Sequence, residues 1–556
     1  MSNPAQALAP PLTIRRLVTP ATVLTFVLLA VGSLAYLDFD FSRLGQSIAA
    51  VPDIAARALP PDPGVLPQAL ATAVQTLWMA VLGTALATVA AAAVALLAAR
   101  PTSPHPALRL VARAVVVVCR VIPDIAFALF FVVSTGIGPL PGVLALALHS
   151  IGMLGRLFTE AIERIDESAL EAVAAGGATW TQRVTAGVLP QVVPAFLAAT
   201  LYRLDVNFRG ATLLGFVGAG GIGTLLQRYG SAPTTYAQLA MVVIVIMACC
   251  LLFEAVSVVL RRTVGGLLLD RPGRAADTVV ADVPRFDRSR LVVPWTSARR
   301  RVWALGTGTA LVVLVAAVLV DIHVGDLVQL TRGFGGTVLE FLPTAATLLD
   351  APAGVPFWVE LVQGVGQTLA LAFVAILLCV AFGVPWGMLA AANISPHRLL
   401  YVPARAGLVL ARSVPESAVA VLAIAVFGLE PVTAVLVLAL AVCPFLAKLV
   451  ADVAEEIQPG PREGVFAAGA SSPQEFVVGV WGQVVPAVTS SILYAFDTMV
   501  RAIPILGIIG VGALGYTMSR AFSLLEYDLV GAIIAALFVV ILAIQLVSDR
   551  LRAALS

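Results

Sequence analysis

Long apolar runs recur along this chain and restrict it to very few folds. Residues 21–37, 110–133, 236–260 and 302–320 are dominated by apolar side chains. A hydrocarbon layer demands roughly 20 such residues per spanning helix. Over 556 residues the chain is 60% hydrophobic and 12% charged, against about 25% charged in a soluble domain. That composition cannot cover a water-facing surface, so lipid is the expected solvent. Lipid offers no partner to unpaired backbone, so the spans must be helical. Twelve are expected. The first half supplies 18–37, 68–99, 110–133, 139–157, 188–212 and 236–260. The second supplies 302–320, 360–391, 402–427, 431–449, 484–506 and 527–548.

Arginine placement sets the expected orientation. Arg15 and Arg16 precede the first span, Arg100, Arg109 and Arg113 flank the loop after the second, and Arg261 and Arg262 follow the sixth. Residues 263–301 form a polar linker rich in arginine, including Arg271, Arg274 and Arg299. All of these fall on one side if the N-terminus is cytoplasmic. The first span, long and without a persuasive cleavage site, reads as a retained signal anchor. Six spans per half give both halves the same polarity, hence a parallel repeat about an axis along the membrane normal. The expected units are 1–262 and 302–556.

The two halves repeat at a constant offset. Glu171 begins EAVAAGGATWTQRVTAGVLPQVVPA and Glu463 begins EGVFAAGASSPQEFVVGVWGQVVPA, 292 positions later. The same offset joins Gln75-Thr76-Leu77 to Gln367-Thr368-Leu369 and Ser103-Pro104-His105 to Ser395-Pro396-His397. It also joins Arg120-Val121-Ile122-Pro123-Asp124 to Arg412-Ser413-Val414-Pro415-Glu416. A constant offset means a duplicated unit without net insertion. The polar segments 160–187 and 452–479 lie between spans and read as helix, Gly break, helix: an elbow with a small-residue face. Gly177/Gly469, Ala178/Ala470 and Gln182/Gln474 repeat in register. A docking face would need that register, although one gene duplication would also leave it behind.

These residues carry a resemblance. Glu171, Ala172 and Gly176-Gly177-Ala178, followed by Leu189-Pro190-Gln191, resemble the cytoplasmic EAA loop of ABC importer permeases. Cys119-Arg120, Gly152, Leu201-Tyr202-Arg203, Asn207 and Gly218-Ala219-Gly220-Gly221-Ile222-Gly223 are similar to the permeases for phosphonate, phosphite and related phosphorus oxyanions. The likeness covers most of 68–262 and continues in register, more weakly, over 360–551. It implies an all-α membrane protein of the MetI-like permease fold, with two permease units fused in one chain. It further implies that both elbows are coupling helices seated on ABC ATPase subunits, two copies in all, which bind ATP and Mg. An extracytoplasmic substrate-binding protein and a bacterial plasma (inner) membrane location are implied too. The second elbow departs from the pattern at Gly464, Trp481 and Gly482, so the two contacts need not be equal.

Charge within a spanning helix costs about 3 kcal/mol or more and marks function by default. Four pairs stand at i,i+4 spacing, which puts partners on one helical face: Arg120/Asp124, Asp205/Arg209, Arg412/Glu416 and Asp497/Arg501. Pro123 and Pro415 lie inside two of them and can distort that geometry. Arg203 is matched by Ala495. Two readings stand. Either the guanidinium groups line a path for oxyanions, whose geometry the planar fork suits, or each acid neutralises its Arg and ties spans together.

Gly218-Ala219-Gly220-Gly221-Ile222-Gly223 also spells G-x-G-x-x-G, but a dinucleotide site needs a strand before it, and here a span precedes it. A close-packed turn at the outer mouth is expected, with Gly510, Gly512 and Gly515 as its second copy and a gate as one possible use. His149 reads as a packing residue. Cys119, Cys249, Cys250, Cys379 and Cys443 lie in apolar segments without metal-ligand spacing. No catalytic constellation and no P-loop appears; Lys448 follows Phe-Leu-Ala. A net charge of +2 gives no reason to expect nucleic acid. The expected function is the permease of an ATP-driven importer of phosphonate-, phosphite- or phosphate-type anions. The rival is an ion-coupled secondary transporter, which would not need two matching elbows.

Overall fold

The computed structural model describes residues 14–38, 45, 48–269, 297–320, 322–349, 356–510 and 513–555. Most of the expected linker, together with Gly512, lies outside them. Every described element is helical. Among the described residues eight helices are long and apolar enough to cross a membrane, and two further helix pairs pass the same test together. The first and seventh expected spans fall on Ile14–Tyr36 and Ser297–Leu319, whose described apolar parts are Leu24–Tyr36 and Gly306–Leu319.

The repeat offset reappears in the helix boundaries. Pro106–Val121 matches Arg398–Ser413, Asp124–Thr135 matches Glu416–Phe427, and Pro139–Glu163 matches Pro431–Glu455. Local chemistry explains the coincidence. His105 caps its helix by accepting from the Ala107 amide at 3.1 Å, and His397 accepts from Leu399 at 3.1 Å. This is the role of the repeated Ser-Pro-His. Gly136 and Gly428, at φ 87° and 72°, stop the helices before them, a backbone region that L-residues avoid.

Two spans depart from expectation. Residues 110–133 and 402–427 are each two helices, bent by 91° at Ile122-Pro123 and by 88° at Val414-Pro415. Proline removes a backbone donor and pushes the residue before it out of the helical region. Ile122 and Val414 accordingly sit at ψ 125° and 118°. His149 Nδ1 contacts the Ile122 carbonyl at 3.1 Å, satisfying a group that the bend releases. The second limb of each elbow also differs from the short separate helix expected. Trp180–Arg183 runs through a π-helical segment, Val184–Val188, into Leu189–Leu214. In the second copy the π-segment lengthens to Glu475–Trp481, where Trp481-Gly482 stands in place of Leu-Pro.

The two units are interlaced. Phe26, on the first helix, packs its ring against Phe373 and Phe496 of the second unit, with centroids 5.4 and 5.1 Å apart. Reciprocally, Ser297–Leu319 packs along Leu66–Ala98 of the first. Leu66–Ala98 lies against Pro139–Glu163 through Gly83 and the fully buried Ala87, Ala91 and Ala95. Small side chains substitute for the missing hydrophobic drive between helices in lipid. The result is a pair of matched units whose bent helices meet at their shared interface.

Candidate functional site

The bends decide where the charges go. Asp205 with Arg209 and Asp497 with Arg501 remain on continuous helices and form ion pairs, the second at 2.7 Å. Arg120/Asp124 and Arg412/Glu416 do not pair, because the 91° and 88° bends carry the acids onto new helix axes. The expected i,i+4 contact is therefore wrong for these two. Arg120 instead reaches Asp497 of the other unit at 3.9 Å, and Arg412 reaches Glu254 at 3.5 Å. Arg209 Nη1 donates to the Arg412 carbonyl at 2.9 Å, and the Thr212 and Ser417 hydroxyls meet at 2.7 Å. Charged groups from both units thus converge on one interface. Arg120 and Asp497 there are only 5% and 1% exposed.

A second polar set stands in the first unit alone. Arg203 Nε donates to the Ser150 hydroxyl at 2.8 Å, and the Asn207 amide donates to Thr84 Oγ1 at 2.8 Å and to Ser150 Oγ at 2.9 Å. All four residues are buried. Asp124 lies near enough to Arg203 for their charges to interact. The matching positions of the second unit are Ile376, Val442, Ala495 and Met499, buried and without charge. Thr84 and Ser150 escaped sequence reasoning because hydroxyl residues are unremarkable in isolation. Their signal is a repeat column that changes from polar to apolar, seen four times over.

The glycine-rich turn is close-packed, but not at every glycine. A Cβ on Gly223 would stand 2.0 Å from the Thr212 carbonyl oxygen, and one on Gly215 would stand 2.6 Å from the Gly223 backbone. Gly515 and Gly507 repeat this at 2.3 Å from the Pro504 carbonyl oxygen and 2.3 Å from the Gly515 Cα. Gly218, Gly220 and Gly221 hold φ of 86°, 77° and 76°, and Gly510 holds 104°. Gly220 has nothing nearer than 3.7 Å, so backbone conformation rather than packing selects it. The repeated Gln75-Thr76 finds its use here: Gln75 Oε1 accepts from Gly221 at 3.1 Å and Thr76 Oγ1 from Ile222 at 2.8 Å.

The first elbow follows the C-terminal end of Pro139–Glu163 and the second that of Pro431–Glu455. Glu171, Ala172, Gly177 and Gln182 are exposed, as are Glu463, Gly469 and Gln474, with Ala178 and Ala470 half-buried. Gln182 and Gln474 close capping boxes, accepting from the Thr179 and Ser471 amides at 2.8 and 2.9 Å. Gly177 and Gly469 sit at φ 77° and 81° with open space around them. Local backbone thus accounts for these two repeated residue types by itself. Gln191 ties the first elbow to the helix that follows, accepting from the Asp166 amide at 3.1 Å and donating to the Gly187 carbonyl at 2.7 Å. Gln483 does the same for the second, at 3.2 and 2.6 Å to Gln458 and Gly479. Asp166 caps the first elbow helix, and its hydrogen bonds from the Ser168 hydroxyl and amide hold its carboxyl below the usual range.

The sequence matches the family of binding-protein-dependent transport system inner membrane components twice, over residues 91–266 and 383–556. The chain belongs to that family. This permease is 40% identical over 483 residues to the phosphate-import permease protein PhnE of Mycolicibacterium smegmatis, covering 87% of this chain and 85% of that one. It is 42% identical over 249 residues to the phosphite transport system permease protein PtxC of Stutzerimonas stutzeri, covering 45% of this chain and 89% of that one. A putative cryptic phosphonate transport system permease protein of Escherichia coli, PhnE2, is 45% identical over 84 residues, covering 15% and 69%. The permease is an all-α membrane protein carrying its family domain twice, as the constant offset requires.

Proposed function

We propose that this chain supplies both membrane halves of an ATP-driven importer of phosphate-, phosphite- or phosphonate-type oxyanions, with units 1–262 and 302–556 joined by the linker 263–301. The observation that carries the reading is the convergence of Arg120, Arg412, Asp497 and Arg501 with Arg209 and Asp205 on one buried interface between the units. A path between two halves needs groups from both, and guanidinium groups suit tetrahedral oxyanions. Asp124, Arg203, Asn207 and Glu416 belong to the same path. In this reading the elbows 160–187 and 452–479 face the cytoplasm, as does the N-terminus, and seat two copies of an ABC ATPase. Those partners bind ATP and Mg and perform the hydrolysis; the chain itself catalyses no reaction. An extracytoplasmic binding protein delivers the anion at the opposite end, near the glycine turns, which frame the mouth. The membrane is the bacterial inner membrane.

The test is uptake of radiolabelled phosphate, phosphite and methylphosphonate by cells lacking other routes and supplied with the chain, an ATPase and a binding protein. Uptake of at least one anion is expected. Arg120→Gln is expected to cut it at least about tenfold with assembly intact, since it leaves Asp497 without its cross-unit partner. No uptake of any of the three overturns the reading. Cysteines at Gly177 and Gly469, placed at open positions, are expected to crosslink to the ATPase; labelling by an extracytoplasmic reagent instead would reverse the orientation.

A further inference from the structure

The two units place matched charge clusters about their interface, but the clusters do not balance alike. In one, Arg412 pairs with Glu254 at 3.5 Å and Arg209 pairs with Asp205. Glu416 adds a third carboxylate whose charge interacts with Arg209. Three acids therefore face two guanidinium groups. In the other, Arg120 and Arg501 share a single oxygen of Asp497, at 3.9 and 2.7 Å. The counterpart of Glu254 is Leu546, so no fourth group closes the set. Arg203, which Ala495 replaces in the mirror, adds a third guanidinium, and Asp124 beside it adds the second carboxylate. Three guanidinium groups face two acids. His149, Tyr202, Tyr494 and Arg156, which is itself paired with Glu160 at 2.8 Å, are the other titratable groups nearby, and Glu416 also lies within electrostatic reach of Asp124.

The surplus is accompanied by unmet hydrogen-bonding capacity. Arg501 Nη1 and Asp497 Oδ1 are buried without a partner, and the Asp497 side chain is 1% exposed. A buried donor on a cation costs several kcal/mol if left unpaired. The mirrored atoms of Arg209 are not in that condition, since Nη1 donates to the Arg412 carbonyl at 2.9 Å. A monoanion placed between Arg120 and Arg501 would neutralise the surplus charge and supply the missing acceptor.

We propose that the Arg120–Arg203–Arg501 cluster is the station that holds the oxyanion within the membrane, with Asp497 as the carboxylate the anion displaces, and that the mirrored Arg209–Arg412–Glu254 cluster is a permanent tie between the units. The inference rests on the importer reading above and narrows it: one of two pseudo-equivalent sites binds. Asp497 keeps the station from becoming a trap, because its carboxylate competes for Arg501 and returns when the anion leaves.

The test measures equilibrium binding of radiolabelled inorganic phosphate to the full chain in lipid nanodiscs. Asp497→Asn removes the competitor and is expected to tighten binding at least about tenfold, whereas Glu254→Gln, in the mirrored cluster, shifts it no more than about threefold. Arg501→Gln is expected to abolish binding. In the assembled transporter, Asp497→Asn slows uptake while ATP hydrolysis continues, which a folding defect would not produce. Equal shifts from Asp497→Asn and Glu254→Gln overturn the inference. So does wild-type binding in Arg501→Gln, or no binding by Asp497→Asn at millimolar phosphate. A wild-type transporter that moves no phosphorus oxyanion defeats the importer reading instead, so the two failures are distinct.

Discussion

Gly223→Ala is expected to prevent accumulation of folded protein, and Gly515→Ala to do the same from the other unit. The added methyl at Gly223 would lie 2.0 Å from the Thr212 carbonyl oxygen, and at Gly515 it would lie 2.3 Å from that of Pro504. Neither obstacle is a flexible side-chain end. Both are backbone carbonyls of the long helices Leu189–Leu214 and Gly482–Ile508, and the turn facing the first is already held through its amides by Gln75 and Thr76. Overpacking a closed site costs about 1–3 kcal/mol, and more where backbone must move; the effect here belongs at or above the upper end. Gly220→Ala is the internal contrast. Its φ of 77° makes alanine costly by about 1–2 kcal/mol, but the nearest atom is 3.7 Å away. Gly220→Ala should therefore reach the membrane with a lowered melting temperature while Gly223→Ala does not. Membrane-fraction immunoblots and thermal unfolding of the purified chain read the two outcomes, and equal yields would refute the packing argument.

The contrast also shows what sequence pattern carries and where it stops. The G-x-G-x-x-G spelling located the turn but not its closest approach, because Gly215 and Gly507 lie outside the motif and meet Gly223 and Gly515 only through folding. Helix ends repeat with the sequence where their chemistry is local, as in the His105 and His397 caps, the Gly136 and Gly428 stops and the Gln182 and Gln474 boxes, but the expected span 139–157 stops six residues short of the helix that ends at Glu163. Ion pairs were legible only where the helix is continuous. Asp205/Arg209 and Asp497/Arg501 held, while Pro123 and Pro415 turned Arg120 and Arg412 toward partners 377 and 158 positions distant in the numbering. Glu254 could not have been found from the repeat, since its counterpart is Leu546. Its role follows from contact alone.

The elbows yield the second large effect. Sequence comparison located their inequality at Gly464 and Trp481-Gly482, but exposure places its larger part elsewhere. Phe466 is 67% exposed, and Val477 and Val478 beside the π-segment are exposed as well. Their counterparts in the first elbow are Ala174, Thr185 and Ala186. If the proposed ATPase docks on both elbows, it meets mostly small side chains and Trp180 on the first and an apolar ridge on the second. An exposed phenylalanine at the water-facing end of a membrane protein is a candidate anchor residue, and truncating such an anchor costs about 2 kcal/mol or more in docking. Phe466→Ser should accordingly weaken ATPase association about 30-fold or more and lower coupled uptake with it. Ala174→Ser should change neither. Because Phe466 is exposed and makes no ring contact among the described aromatic pairs, the substitution leaves the fold intact, and circular dichroism with size-exclusion profiles checks that directly. Titration of the purified chain with its ATPase measures the effect. Matched affinities for Phe466→Ser and Ala174→Ser would mean that the two elbows contribute alike in spite of their different surfaces. A loss confined to Phe466→Ser would make the second elbow the stronger anchor.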